Sequence, residues 1–133
     1  MNKEDQQKKQ IEFQILNQQF ESLKQQLAKL QQQSVNLDEL YESLEALEQT
    51  KENTDLFTPI SSGVFVKSSL KDNSEVIMSV GASTAVKKTM PQAKDLINNQ
   101  RKEITTVIAQ LEKDLHNYVN TLNSLHQEMS QSQ

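Results

Sequence analysis

A chain of 133 residues with a net charge of −4, only 35% hydrophobic and 5% aromatic residues is too poor in apolar side chains for a core of ordinary size. The absence of cysteine excludes disulfides and thiol chemistry and fits a reducing cytosol. Basic residues are scattered and include a single arginine, Arg101, which argues against a nucleic-acid partner. No apolar run reaches the length of about 18 residues typical of a membrane span, and the polar residues 1–10 do not resemble a signal peptide. We therefore expect a cytoplasmic protein without a membrane partner, built as a single domain over residues 1–133.

The strongest breakers of regular structure divide the chain into three parts. Both glycines and both prolines lie between Pro59 and Pro91, which leaves a long breaker-free segment on either side. This distribution predicts an N-terminal helix over about residues 3–51, a different structure over 56–88, and a C-terminal helix over about 90–131.

Both predicted helices carry heptad repeats, in which apolar residues alternate at spacings of three and four as in a coiled coil. The first repeat consists of Phe13, Leu16, Phe20, Leu23, Leu27, Leu30, Ser34, Leu37, Tyr41 and Leu44. The second repeat consists of Ile97, Arg101, Ile104, Ile108, Leu111, Leu115, Tyr118, Leu122, Leu125 and Met129. Ser34 and Arg101 are the polar members, and each either fixes the register or is tolerated. Thr89-Met90-Pro91-Gln92 fits a capping box at the start of the second helix.

The middle segment changes to a strand-like composition. Gly63–Leu70 and Glu75–Gly81 are rich in β-branched residues, and residues 71–74 between them have turn chemistry. Shorter candidates precede and follow them at 56–60 and 84–88, so we predict four strands in two hairpins. Such a segment favours chain reversal, although a parallel homodimer would also bury the heptad stripes. The predicted fold is mainly α, a long antiparallel coiled-coil hairpin with two β-hairpins at the bend.

The predicted hairpins have apolar side chains on both faces, and an isolated hairpin is only marginally stable in water. Open strand edges also invite pairing with another chain. We therefore expect a subunit interface on this β module, the alternative being a module closed on its own helices. The expected interface residues are Val64, Phe65, Val66, Leu70, Val76, Ile77, Met78, Val80 and Val86.

The segment Phe57–Lys67 (FTPISSGVFVK), followed by Val76–Ala82 (VIMSVGA) and Val86–Thr89 (VKKT), resembles the central region of prefoldin alpha subunits. The resemblance extends to the whole architecture of heptad helix, two hairpins and heptad helix. The family usually has more glycine in the two tight turns, where this chain has Ser61-Ser62 and Ser83.

The resemblance implies a hexamer of two alpha and four beta subunits, in which the hairpins form a double β-barrel and six coiled-coil arms extend from it. The arm tips hold non-native proteins without ATP and pass them to a group II chaperonin in the cytosol. Alpha subunits have two hairpins and beta subunits one, which matches this chain to the alpha class.

In this arrangement the chain termini form the arm tip, where clients bind. Ile11 lies off the heptad seam and is a candidate for exposed apolar surface, and the unbranched Met129 adapts to varied partners. The candidate client-binding residues are Ile11, Phe13, Leu16, Phe20, Leu122, Leu125 and Met129. The alternative is that the heptad members among them are ordinary seam residues of a structural scaffold that binds no client.

No catalytic, cofactor or metal site is expected, and the chain is not predicted to be an enzyme. No nucleophile, base and oxyanion donors come together in the sequence. His116 and His126 lie ten residues apart, at neither of the helical spacings that bring two side chains onto one face.

Overall fold

A computed structural model describes residues 2–131 of the chain. Helix α1 covers Lys3–Gln49 and helix α2 covers Met90–Gln131. The four strands between them are β1 Asp55–Ser61, β2 Val64–Ser69, β3 Glu75–Gly81 and β4 Thr84–Thr89. This confirms the predicted fold class, two long helices with two antiparallel hairpins between them. The chain divides into two compact units, a terminal unit (residues up to Val35 and from Lys102 onwards) and a central unit (Asn36–Arg101).

In the terminal unit, α1 and α2 run antiparallel with their heptad positions facing each other. The Tyr118 hydroxyl donates to Gln19 Oε1 at 3.0 Å, and Lys9 Nζ lies 2.8 Å from Glu128 Oε2. Every heptad member of this unit is buried or half-buried, whereas most of the positions between them are exposed. The helices therefore pair through the heptad positions identified in the sequence, and burial of the apolar stripes holds them together.

In the central unit, the two helices enclose the densest apolar packing. Leu44 of α1 packs against Met90, Ala93 and Ile97 of α2, and all four side chains are buried. Leu37, Tyr41 and Leu47 extend this cluster along α1. Because Ala93 is fully buried, the helices approach closely here and leave no room for a larger side chain.

Arg101, the polar member of the second heptad repeat, has its partners on α1. Its Nε donates to Asp38 Oδ1 at 2.8 Å, and its guanidinium carbon lies 4.6 Å from the centre of the Tyr41 ring. Lys94 also lies over that ring, at 5.6 Å, and its Nζ is 3.4 Å from Glu48. Since a shifted register would separate these pairs, the contacts favour the interpretation that Arg101 fixes the register.

Helix α2 begins with the predicted capping box. The Gln92 N–H donates to Thr89 Oγ1 at 3.2 Å, and the Thr89 N–H donates to Gln92 Oε1 at 3.1 Å. Pro91 occupies the first turn, where its missing N–H costs nothing. The reciprocal bonds satisfy two backbone donors and confirm this helix start.

The two hairpins are structural repeats of each other. Strand β1 pairs with β2 from Asp55 opposite Ser69, and β3 pairs with β4 from Glu75 opposite Thr89. Each partner pair of the second hairpin follows its counterpart by 20 residues. Each also has a register shift beside its turn, at Ile60 in the first hairpin and at Val80 in the second. The hairpins form two separate two-stranded sheets.

The two faces of the second hairpin have different surroundings. Val76 and Met78 of β3 pack against the core cluster of the helices, whereas Ile77 between them points away and is 69% exposed. Its counterpart in the first hairpin, Phe57, is 74% exposed. The second hairpin therefore packs against the helices through one face of β3, and its opposite face is exposed at Ile77.

Residues 70–74 join the two hairpins and cap helix α1 at the same time. The side-chain amide of Asn73 donates to the carbonyl oxygens of Leu47 at 3.4 Å, Glu48 at 2.9 Å and Thr50 at 3.0 Å. These carbonyls belong to the last turn of α1 and the residue just beyond it, and the Leu47 carbonyl also accepts from the Thr50 N–H at 3.2 Å. A single side chain in the linker thus caps the C-terminal end of α1.

Backbone and side-chain bonds hold this linker in place. The Asn53 N–H donates to the Leu70 carbonyl at 2.6 Å, and the Met90 N–H donates to the Ser74 carbonyl at 2.8 Å. Asp72 accepts from the hydroxyl and the N–H of Ser74, and these two bonds hold the pKa of its carboxyl below its ordinary value.

Candidate interaction surfaces

The hairpins place the predicted interface residues in two environments. Val76 and Met78 face the core of the central unit, and Leu70 and Val86 are half-buried. The remaining five are exposed: Val64, Phe65, Val66, Ile77 and Val80. The exposed group is available to another chain, while Val76 and Met78 already have an intrachain role.

Sequence reasoning missed two exposed apolar residues of the first hairpin. Phe57 and Ile60 lie in β1, and both are more exposed than most of the residues that were predicted. They were overlooked because the outer strands were identified from weaker signals than the central ones. The signal was present, since Phe57 occupies the position in β1 that Ile77 occupies in β3.

An open groove of about 660 Å³ lies beside β3 in the central unit. Leu40, Leu96 and Ile97 of the helices form one side, and residues 76–80 of β3 form the other. Leu40 and Leu96 are both partly exposed on the helices. An exposed apolar groove next to a strand without a second neighbour is suited to an added strand or an apolar side chain of a partner.

The predicted client-binding residues divide by their place on the terminal unit. Leu122 and Leu125 are buried in the seam, and Ile11 is 58% exposed. The other four, all half-buried seam residues, are Phe13, Leu16, Phe20 and Met129. The seam residues thus pack between the helices, and Ile11 is the member of the set that faces outward.

Ile15 is an apolar residue of this region that sequence reasoning missed. It is 50% exposed and lies four residues after Ile11, so the two side chains are neighbours on one face of α1. The spacing was visible in the sequence, but both residues lie outside the heptad pattern that organised the prediction. Together they form an outward apolar patch, here called the Ile11–Ile15 patch.

Two contacts close to this patch in the chain join α1 to α2, one an ion pair and the other a contact between aromatic rings. Lys9 Nζ lies 2.8 Å from Glu128 Oε2, and the rings of Phe13 and His126 have their centres 6.3 Å apart with a tilt of 42°. Both contacts bridge the helices near the chain ends.

Residues 2–131 contain no cluster of three His, Asp or Glu side chains arranged to hold a metal ion. Neither helix in that range combines the length and apolarity needed to cross a membrane. In the described part of the chain, the candidate interaction surfaces are marked by exposed apolar side chains.

Comparison with known proteins agrees with this architecture. The prefoldin subunit family model matches residues 16–133, so the chain belongs to the prefoldin family. A cryo-EM structure of filamentous PFD from Methanocaldococcus jannaschii superposes with a TM-score of 0.75 at 20% identity, over 86% of this chain and 95% of that chain. At this identity, the superposition establishes a shared fold.

The similar curated sequences are prefoldin alpha subunits. One from Methanobrevibacter smithii is 30% identical over 61% of this chain, and one from Thermofilum pendens is 22% identical over 58%. The matched segments cover 56% and 60% of those relatives, so the chain spans little more than half of their length. These similarities confirm the predicted likeness to the alpha class, and family membership supports the general role of a chaperone subunit.

Proposed function

We propose that the chain is the alpha-type subunit of a cytoplasmic, ATP-independent holdase complex. In this proposal two alpha and four beta subunits assemble through their hairpins, hold non-native proteins, and pass them to a group II chaperonin. The observation that carries the holding role is the outward exposure of Ile11 and Ile15 on the terminal unit of a prefoldin-family chain. Exposed apolar surface of this kind binds the apolar segments that unfolded proteins expose.

The physical basis of holding is mass action. A surface that binds unfolded chains and leaves native ones alone lowers the free concentration of the species that aggregates. The Ile11–Ile15 patch offers two large side chains, so one subunit binds a client weakly. Several such patches on one complex raise the overall affinity through effective concentration, which makes the assembly the functional unit.

The proposed assembly surface is the open face of the hairpins. Phe57 and Ile77 occupy equivalent outward positions in the two hairpins, and the apolar groove beside β3 adjoins the second hairpin. Removing these apolar side chains from water at roughly 25 cal/mol per Å² stabilises an interface between subunits. In this proposal, the central unit serves assembly and the terminal unit holds clients.

The patch is tested by replacing its two side chains. The variant Ile11→Ser/Ile15→Ser in the assembled complex should lose most of its suppression of light scattering by guanidine-unfolded citrate synthase. Val35→Ser is the matched control, because Val35 is similarly exposed on the same helix but lies outside the patch. Equal suppression by the double variant and the wild type would contradict the assignment of client binding to this patch.

A structural scaffold without client binding is the second candidate, and the packing of Phe13, Leu16 and Leu125 into the seam favours it. Deleting residues 1–16 and 122–133 separates the two candidates, because a holdase loses protection while its assembly persists.

The native mass of the chain, alone and with a beta-type partner, tests the assembly itself. A filament of this chain alone would favour the scaffold, and a six-subunit complex with the partner would favour the holdase.

A further inference from the structure

The heptad seam changes from apolar to charged near the N-terminus of α1. Lys9 lies four residues before Phe13, in line with the seam, and its side chain is only 28% exposed. An apolar residue at such a position contributes burial energy, whereas a lysine has to keep its ammonium group hydrated or paired. The first turns of α1 and the last turns of α2 are therefore held together by less apolar attraction than the rest of the terminal unit.

An ion pair across the helices takes the place of that attraction. Lys9 Nζ and Glu128 Oε2 are 2.8 Å apart, close enough for a charge-assisted hydrogen bond. Just inside this pair, Phe13 lies against His126, and Leu125 is buried. The pair thus lies nearer to the chain ends than these apolar contacts.

The ion pairs of the central unit have different surroundings. Arg101–Asp38 and Lys94–Glu48 also join α1 to α2, but both flank the core cluster and share the ring of Tyr41. Their loss leaves the helices held by Leu44, Met90 and Ile97. Among residues 2–131, the buried core cluster lies in the central unit and not beside the Lys9–Glu128 pair, so loss of this pair frees the turns around it.

We propose that the Lys9–Glu128 pair is a clasp that keeps the chain ends of the terminal unit paired and limits the exposure of Phe13 and Leu125 to clients. This inference rests on the proposed holdase function and adds regulation to it. When the clasp opens, the terminal turns separate and apolar side chains of the seam join the Ile11–Ile15 patch. A partly exposed ion pair is weak, so its loss increases the open population roughly two- to fivefold, enough to regulate without unfolding the helices.

Hydrogen exchange on the full chain tests the clasp without any client. Glu128→Gln removes the charge and keeps the shape, and it should increase exchange of the backbone amides of residues 10–16 and 120–127 about two- to fivefold. Glu21→Gln is the matched control, because the Glu21–Lys24 pair, 3.8 Å apart, lies within α1 and does not join the helices. Unchanged exchange in Glu128→Gln would overturn the clasp.

Reversal of the charges distinguishes the pair from either residue alone. Lys9→Glu places two carboxylates opposite each other and should increase exchange further, while Lys9→Glu/Glu128→Lys should restore the wild-type rate. A double variant that exchanges as fast as Lys9→Glu would show that the ion pair is not the closing contact.

Client protection by the assembled complex tests the regulatory step, with guanidine-unfolded citrate synthase as the probe. Glu128→Gln should suppress scattering at a two- to fivefold lower concentration than the wild type, and the charge-reversed double variant should match the wild type. Faster amide exchange in Glu128→Gln without better client protection would overturn the proposal that the clasp controls client binding. A wild-type complex that gives no protection would contradict the proposed function itself, while the exchange result would still decide whether the clasp exists.

Discussion

Asn73 shows how much a single side chain contributes to the central unit. Its amide is shared by three carbonyls at the end of α1, although 23 to 26 residues separate it from them in the chain. The sequence predicts a turn at residues 71–74, and an asparagine is common in turns. The sequence gives no indication that Asn73 caps the end of α1. The cap depends on where the linker crosses the helix end, which local patterns do not specify.

Replacing Asn73 with alanine should destabilise the chain by about 0.5–1.5 kcal/mol, since the carbonyls of Glu48 and Thr50 lose their side-chain donor close to the surface. The matched control is Asn99→Ala, on an exposed position of α2. Thermal unfolding followed by circular dichroism measures both changes. A midpoint for Asn73→Ala equal to that of Asn99→Ala would show that water replaces the amide at no cost.

The hairpins show at the level of elements where sequence reasoning succeeds and where it stops. The composition of β2 and β3 and the heptad spacing of α1 and α2 predicted these elements, because apolar periodicity reflects the faces that become buried. The 20-residue equivalence of the hairpins was not predicted, since the matching positions carry different residues, such as Phe57 and Ile77. The faces of β3 were not distinguished either, because both carry apolar groups and only packing against the helices separates them.

The turns of the two hairpins differ in backbone strain. In the first, the positive φ of 80° falls on Gly63, which adopts it freely. In the second, Ala82 at 50° and Ser83 at 61° both have positive φ, as the central positions of a type I′ turn require. A side chain in this region costs roughly 1–2 kcal/mol per residue, so the second turn is strained at Ala82 and Ser83.

Glycine at either of these positions should therefore stabilise the second hairpin. Ala82→Gly and Ser83→Gly are each expected to slow amide exchange in strands β3 and β4, with a gain of up to about 1 kcal/mol after the entropy cost of glycine. Ser62→Gly is the control, because the φ of Ser62 is not positive and the substitution relieves no strain. Slower exchange in the control as well would point to a cause other than backbone strain.

At the scale of the whole molecule, the chain exposes apolar surface in both of its units. The described residues of the central unit expose Phe57, Ile60 and Ile77 on the hairpins, and those of the terminal unit expose Ile11 and Ile15. The chain has few apolar residues and exposes many of them outside its core. This agrees with the expectation from composition that the core is smaller than usual. The same distribution makes the stability of the single chain and the stability of the proposed assembly separate quantities.

This separation is testable at the outward positions of the hairpins. Phe57→Ser/Ile77→Ser should abolish or strongly weaken assembly, while the unfolding midpoint of the isolated chain shifts little, because neither side chain packs in the core cluster. Native mass spectrometry with a beta-type partner measures assembly, and Val107→Ser, exposed on α2, is the control. A double variant that assembles at wild-type concentrations would exclude these positions from the interface.

The Asn73 cap also connects folding with chemical ageing. Asparagine is one of the thermally labile residues, and its amide is lost when the backbone nitrogen of the next residue attacks the side-chain carbonyl. In the folded chain, the Ser74 N–H is engaged by Asp72 and the Asn73 amide by three carbonyls, so both reacting groups are restrained. Loss of the amide as ammonia and subsequent hydrolysis would turn the Asn73 side chain into a carboxylate. That carboxylate would face the same carbonyls at the negative end of the α1 dipole, where it is repelled. Each excursion to the unfolded state therefore exposes Asn73 to irreversible loss of its amide, and the working lifetime of the chain depends on how rarely it opens.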